Sequence, residues 1–169
     1  DDYQLAQLTD SQLAGLTSCQ ITQMSTTQIG ALTASQVAAL TTTQLVGLTA
    51  QQAAALGADQ IGQLSANQLS NFSTYQFGGF TSTQIEAMNA TQVAALSTTQ
   101  LSALTKNQAQ ALSSEDMIAL WATQIGLLSP TAIPGLSAEA LNALSSVQIA
   151  AFTTTQIAAF SATNITGLT

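Results

Sequence analysis

Few residues in this chain carry side chains that perform acid–base, nucleophilic or metal chemistry. The sequence has no histidine, one cysteine (Cys19) and eight carboxylates, of which Glu115 and Asp116 form the only adjacent pair beyond Asp1 and Asp2. Catalytic triads and metal sites that depend on histidine are therefore excluded. The scattered acids do not form an aspartate-rich calcium loop, and no glycine-rich phosphate loop is present. We expect no enzyme activity, no catalytic residue, no metal site and no cofactor.

The charge balance limits the partners of the chain. Lys106 is the only basic residue, and the formal net charge is −7. A phosphate backbone or an anionic membrane surface is bound by clustered lysine and arginine, which this chain lacks. No apolar run approaches the roughly 20 residues that span a bilayer. We therefore expect no nucleic-acid partner and no membrane insertion.

An eight-residue pattern organises the whole sequence. The chain divides into 21 units without insertion or deletion, so that unit n ends at residue 8n, and Thr169 follows the last unit. Positions 5 and 8 of the unit are always apolar, position 1 is Ser or Thr in 17 units, position 4 is Gln in 17, and position 7 is Ala or Gly in 16. The sequence predicts one continuous repeat array over residues 1–169, either a segment of a longer array or a protomer that stacks.

Each unit carries a complete signal for the start of a helix. In unit 6, Thr41 and Gln44 have the spacing of a capping box, while Leu40 and Leu45 have the spacing of a hydrophobic staple. A chain that starts a helix every eight residues cannot form one long helix. A continuous helix would also displace the apolar stripe by roughly 80° per unit, which leaves no face to bury.

The pattern predicts an all-α solenoid of about 21 short, two-turn, capped helices. Such helices are unstable alone and must stack on their neighbours. The small residues at position 7 would then let backbones approach closely. A β-solenoid with eight-residue rungs is the alternative, but apolar spacings of three and five do not alternate as a strand requires. With three helices per turn and layers about 10 Å apart, the rod is roughly 70 Å long, and with two it is nearer 100 Å.

The pattern is least regular between residues 113 and 140. Proline at position 6 of unit 17 (residues 129–136) lacks the N–H of a helix interior, so we predict that unit 17 is the least helical. Pro130 directly follows Ser129, where a proline suits the start of a helix. The other departures are the loss of a Ser/Thr cap at Trp121 and the loss of glutamine at Asp116, Ala132 and Ala140.

Aromatic and apolar residues outside the pattern are candidates for an interface. Phe72, Phe77 and Phe80 occupy core positions, and we interpret them as a bulky core layer with room provided by Gly78 and Gly79. Tyr75 lies at position 3, which should face solvent. Near the irregular units, additional apolar surface is expected from Met117, Ile118, Trp121, Leu127 and Leu128. The candidate interface residues are Tyr75, Trp121, Leu127 and Pro134.

The repeat Leu-Thr-x-x-Gln-Ile-x-Ala-Leu resembles the tandem arrays of large bacterial secreted and cell-surface proteins, including adhesin-like and filament-forming ones. The resemblance covers the whole chain. It implies a non-enzymatic structural protein, a rigid rod or fibre segment on or outside a bacterial cell, that associates with itself end to end or laterally or meets a cell-surface or glycan partner. The alternative is a binding module that uses a repeated Thr/Ser face for ice or polysaccharide.

Overall fold

The computed structural model describes Leu5 and residues 7–168, and this part of the chain is helical with no strand. It contains nineteen short α-helices and one 3-10 helix at Ile133–Gly135. The α-helices are Asp10–Ala14, Ser18–Thr22, Thr26–Ala31, Ala34–Ala39, Thr42–Val46, Ala50–Ala54, Ala58–Gln63, Ala66–Ser70, Thr74–Gly78, Ser82–Glu86, Ala90–Ala94, Thr98–Ala103, Lys106–Gln110, Ser114–Ala119, Ala122–Ile125, Ala138–Asn142, Ser146–Ala150, Thr154–Ala158 and Ala162–Gly167. None of the helices in the described residues is long and apolar enough to cross a membrane.

The predicted capping boxes are present and explain why each helix begins where it does. Thr33 has an extended backbone (φ −70°, ψ 158°), and its hydroxyl accepts from the backbone N–H of Gln36 at 3.2 Å. In return, Gln36 Oε1 accepts from the backbone N–H of Thr33 at 2.8 Å. Each pair satisfies two backbone donors that a helix start leaves open.

Three consecutive helices complete one turn of the solenoid. Every pair of helices in extensive contact is separated by three units, or 24 residues. The all-α solenoid is therefore confirmed, with about seven turns and a length of roughly 70 Å at about 10 Å per layer. Units three apart lie on top of one another and form three stacks. Stack A contains units 4, 7, 10, 13, 16 and 19, stack B begins at unit 2, and stack C begins at unit 3.

The chain turns a corner between consecutive units, and these corners form three edges along the rod. We name them AB, BC and CA after the stacks that they join. Each edge comprises positions 6 to 8 of one unit and positions 1 to 3 of the next. The exposed side chains near each corner belong mostly to positions 1, 2, 3 and 6, so the three edges carry most of the variable surface.

The core fills the centre of the triangle with side chains from positions 5 and 8. These residues form one continuous cluster from Leu13 to Phe152. The phenylalanines are core residues as predicted: Phe80 packs against Phe72 and Phe77, with ring centroids 5.4 and 5.3 Å apart. Ala53 holds the same position as Phe77 one turn earlier, so a small residue precedes the large one in that stack.

Glycine does not make room for this layer, contrary to the sequence interpretation. A Cβ at Gly78 would meet nothing within 4 Å, and one at Gly79 would lie 3.2 Å from the Ala50 carbonyl oxygen rather than against a ring. Gly79 instead illustrates the role of position 7, which lies over position 2 of the unit one turn earlier. The same close approach brings Gly47 against Ser18, where a Cβ would lie 2.8 Å from the serine Cβ. Small residues at position 7 thus allow the turns to pack closely.

Among the units that the structure describes in full, unit 17 is the least helical, as predicted, because its only helical segment is the 3-10 helix. The expected helix start at Pro130 is wrong, because this residue lies in a turn. Within that turn, the Ser129 hydroxyl accepts a hydrogen bond from the backbone N–H of Thr131 at 3.2 Å. The physical reason is that Ala132 cannot return a capping bond and Pro134 has no N–H to extend a helix. At Trp121, by contrast, a helix still begins because Gln124 Oε1 accepts the Trp121 N–H at 2.8 Å.

Candidate functional site

The side-chain amide of the position-4 glutamine connects successive turns of the solenoid. Gln100 Oε1 accepts from the backbone N–H of Ser97 at 2.8 Å, within its own unit. Its Nε2 donates to the carbonyl oxygens of Leu69 and Phe72, both at 2.9 Å, one turn earlier. The side chain is fully buried. One amide therefore caps the start of its own helix and the end of a helix in the turn below.

The same arrangement repeats through most of the chain and forms what we call the glutamine ladder. The amide donates to the position-8 carbonyl 28 residues earlier, at 2.6 to 3.0 Å. Carbonyls at the end of a helix have no partner within the helix, and a buried polar group without a partner costs roughly 1–3 kcal/mol. The ladder satisfies them in the interior of the rod. Its members are Gln36, Gln44, Gln52, Gln60, Gln68, Gln76, Gln84, Gln92, Gln100, Gln108, Gln124, Gln148 and Gln156, of which Gln124 reaches Ala94 instead.

The sequence predicted the capping bond that the glutamine oxygen accepts, but not the bonds that its side-chain N–H donates to the preceding turn. The available signal was the choice of glutamine. A capping box accepts Glu or Gln, yet position 4 holds 17 glutamines and no glutamate. Only the amide offers an N–H as well as an oxygen, so the strict preference indicates a required donor.

The ladder is continuous on one edge and interrupted on the other two. Position-4 residues of stack A join the turns along the CA edge, and all five from Gln52 to Gln148 donate to the turn below. On the AB edge the ladder breaks at Ala132. On the BC edge it breaks at Asp116 and Ala140. Asp116 is buried and accepts from Ser113 N–H at 2.9 Å and from the Ser113 hydroxyl at 2.7 Å, but its carboxylate has no N–H to donate.

The four candidate interface residues are distributed over all three edges. Tyr75 and Trp121 are 74% and 72% exposed and share the CA edge. Leu127 is 38% exposed on the AB edge, and Pro134 is half-buried on the BC edge. The expectation of apolar surface at Met117 and Leu128 is wrong, since both occupy core positions and are buried.

The described surface presents little reactive chemistry. No group of three or more histidine, cysteine or carboxylate side chains with metal-binding geometry occurs within residues 7–168. Cys19 is a free, exposed thiol. A surface depression of about 730 Å³ lies on stack B, and its lining of mostly small residues includes one carboxylate, Asp59. The side chains with a repeated, defined geometry are therefore those of the glutamine ladder and its caps.

The fold and the ladder define a helical repeat protein, a solenoid of short capped helices. A family model described as the ALTTAQ repeat matches residues 133–162. The match spans the last five units in part, and the chain is similar to that repeat there. A comparison with curated proteins found no match.

Proposed function

We propose that this chain is a non-enzymatic structural rod that acts on or outside a bacterial cell, as a segment of a surface stalk or adhesin or as a subunit of an extracellular filament. The glutamine ladder is the observation that carries the proposal. It joins each turn to the next by buried hydrogen bonds along the axis, which is what a spacer that keeps its length requires. The location outside the cell is supported by the resemblance of the repeat to secreted and surface arrays.

The chemistry of the surface is in keeping with a mechanical role. The described residues present scattered charges, small side chains and hydroxyl groups rather than a concentrated reactive site. Stability in such a fold grows with the number of units, because each turn contacts only its neighbours. A rod of this design is lengthened by adding units without redesign of the core, a property that suits a stalk or a fibre.

Small-angle X-ray scattering and negative-stain electron microscopy of the purified chain test the rod. We expect a particle roughly 70 Å long at low concentration, and end-to-end filaments at high concentration if the chain is a filament subunit. A compact, near-spherical particle would contradict the proposal. Labelling of intact source cells with an antibody against the purified chain tests the location, and labelling only after lysis would argue against a surface role.

A binding face for ice or polysaccharide has weaker support. A Thr lattice needs threonines that face one another on successive turns, but the Thr-Thr pairs at positions 2 and 3 do not stack. In stack A, Thr26–Thr27 is followed one turn later by Ala50–Gln51. We therefore expect no thermal hysteresis and no glycan retention by the isolated chain, and a clear positive result in either assay would favour the binding role.

A further inference from the structure

Exposed apolar side chains gather on one edge of the rod. Among the described residues, six large apolar side chains at positions other than the core positions 5 and 8 are exposed, and five of them lie on the CA edge. Leu127 is the exception, on the AB edge. The five form two clusters, Val46 with Tyr75, and Ile118 with Trp121 and Val147. The ladder sets this geometry: Gln76 donates to Val46 O and Gln148 to Ile118 O, each at 3.3 Å, which brings Tyr75 and Val147 beside those residues.

The same edge carries no charge within the described residues. The described residues include six exposed charged side chains, and all six lie on the other two edges. The AB edge has Asp10, Asp59 and Lys106, and the BC edge has Glu86, Glu115 and Glu139. The CA edge is also the one on which the glutamine ladder is unbroken. Along the described part of this acidic rod, the CA edge thus presents apolar side chains and no charge.

We propose that the CA edge is the surface on which two copies of this chain pair side by side in antiparallel orientation. The inference rests on the proposed rod, since it requires a straight edge along the molecule. The net charge of −7 makes copies repel one another. Pairing through the CA edge would bring no like charges of the described residues together. Pairing through the BC edge would bring three carboxylates of each copy into contact.

The spacing of the two clusters fits an antiparallel pair. Tyr75 belongs to unit 10 and Val147 to unit 19 of the same stack, three turns or roughly 30 Å apart. A two-fold axis midway between the clusters places the Tyr75 cluster of each copy on the Trp121 cluster of the other. The edge midway holds Ala94, Ala95, Ser97, Thr98 and Thr99, whose small side chains allow the rods to approach. Trp and Tyr are the side chains that contribute most at protein interfaces.

Sedimentation velocity over a range of concentrations, with scattering on the same samples, tests the pairing. We expect a monomer–dimer equilibrium in which Trp121→Ser weakens dimerisation about tenfold or more. The matched control is Leu127→Ser, which removes an exposed apolar side chain from the AB edge and should leave the equilibrium unchanged. Tyr75→Ser gives a second disruption on the other cluster, and far-UV circular dichroism verifies that each variant is folded.

Disulfide cross-linking tests the orientation. In a Cys19→Ser background, Thr74→Cys and Thr123→Cys place exposed thiols beside the two clusters. We expect a covalent dimer when the two variants are mixed and little in either alone. Monomeric rods at all concentrations, an effect of Leu127→Ser instead of Trp121→Ser, or cross-linking within each single variant would each overturn the proposal. Small-angle scattering distinguishes these results from a failure of the proposed rod, because in that case the monomer would be compact rather than elongated.

Discussion

Gln100 Nε2 lies 2.9 Å from the carbonyl oxygen of Phe72, a residue 28 positions earlier in the chain. This bond connects the start of one helix with the end of another in the preceding turn. Because Gln100 Oε1 also accepts from Ser97 N–H, both ends of the amide are used. The repetition of this geometry explains how helices of four to six residues, too short to persist alone, become a continuous rod.

Restoring the ladder where it is broken should stabilise the protein. Ala140→Gln supplies the missing side-chain amide. Gln148 donates to the carbonyl oxygens of Met117 and Leu120, 31 and 28 residues earlier, and the equivalent partners of residue 140 are the carbonyl oxygens of Ala109 and Leu112. We expect an increase in unfolding free energy of about 1 kcal/mol, measured by urea denaturation. Ala140→Leu, of similar bulk without hydrogen-bonding groups, is the control and should not stabilise. Equal effects of both variants would show that volume rather than the amide matters.

Replacement of two glycines by alanine should change the stability of the fold in opposite directions. A Cβ at Gly135 would overlap the Lys106 carbonyl, so Gly135→Ala must displace backbone and should cost about 1–3 kcal/mol. Gly78 lies in a helix with open space around it, and Gly78→Ala should stabilise by about 0.5–1 kcal/mol through helix propensity. Thermal unfolding of both variants compares them. The close packing of turns at position 7 is refuted if Gly135→Ala is as well tolerated as Gly78→Ala.

The aromatic core layer should depend on Phe77 and not on Tyr75. Phe77 is fully buried and packs on Phe80, so Phe77→Ala leaves a cavity and should cost about 3–5 kcal/mol. Tyr75→Ala, two residues away but exposed, should change the free energy of unfolding by less than about 0.5 kcal/mol. Denaturation of the two variants under identical conditions checks this contrast, and similar losses would contradict the assignment of Tyr75 to the surface.

Much of the fold could be predicted from the octapeptide alone. Thr41 and Gln44 signal a helix start, and Leu45 and Leu48 share one helical face, so the short helices and their core follow from local rules. The number of helices per turn did not follow, because it depends on contacts between residues 24 apart. The second role of Gln100 was missed for the same reason, because its partners lie a full turn away. The effect of Pro134 on the helix of unit 17 was predicted correctly, because it acts locally.

The candidate surface was only partly predictable for the same reason. Tyr75 and Trp121 were identified as exposed aromatics, but their position on one shared edge requires knowledge of the three-helix turn. Leu127 and Pro134 belong to other edges once that turn is known. Val46 and Val147 were not recognised at all, since a lone valine at an outer position carries no signal until its stack is assigned.

The most direct test of the glutamine ladder is the replacement of Gln100 by glutamate, compared with Gln20→Glu. Both variants keep the capping oxygen, but Gln20 is exposed and, within the described part of the chain, its side chain bonds only to Thr17 of its own unit. Gln100→Glu places a buried carboxylate against two carbonyl oxygens and should cost about 3–5 kcal/mol at neutral pH. Burial raises the pKa of the introduced carboxyl, and since the protonated form can donate, the penalty relative to wild type should shrink as pH falls. Gln20→Glu should be neutral or slightly stabilising, as expected for an acid at a helix start. If urea denaturation finds that both variants unfold like the wild type, the amide serves only as a cap and the account of the ladder is wrong.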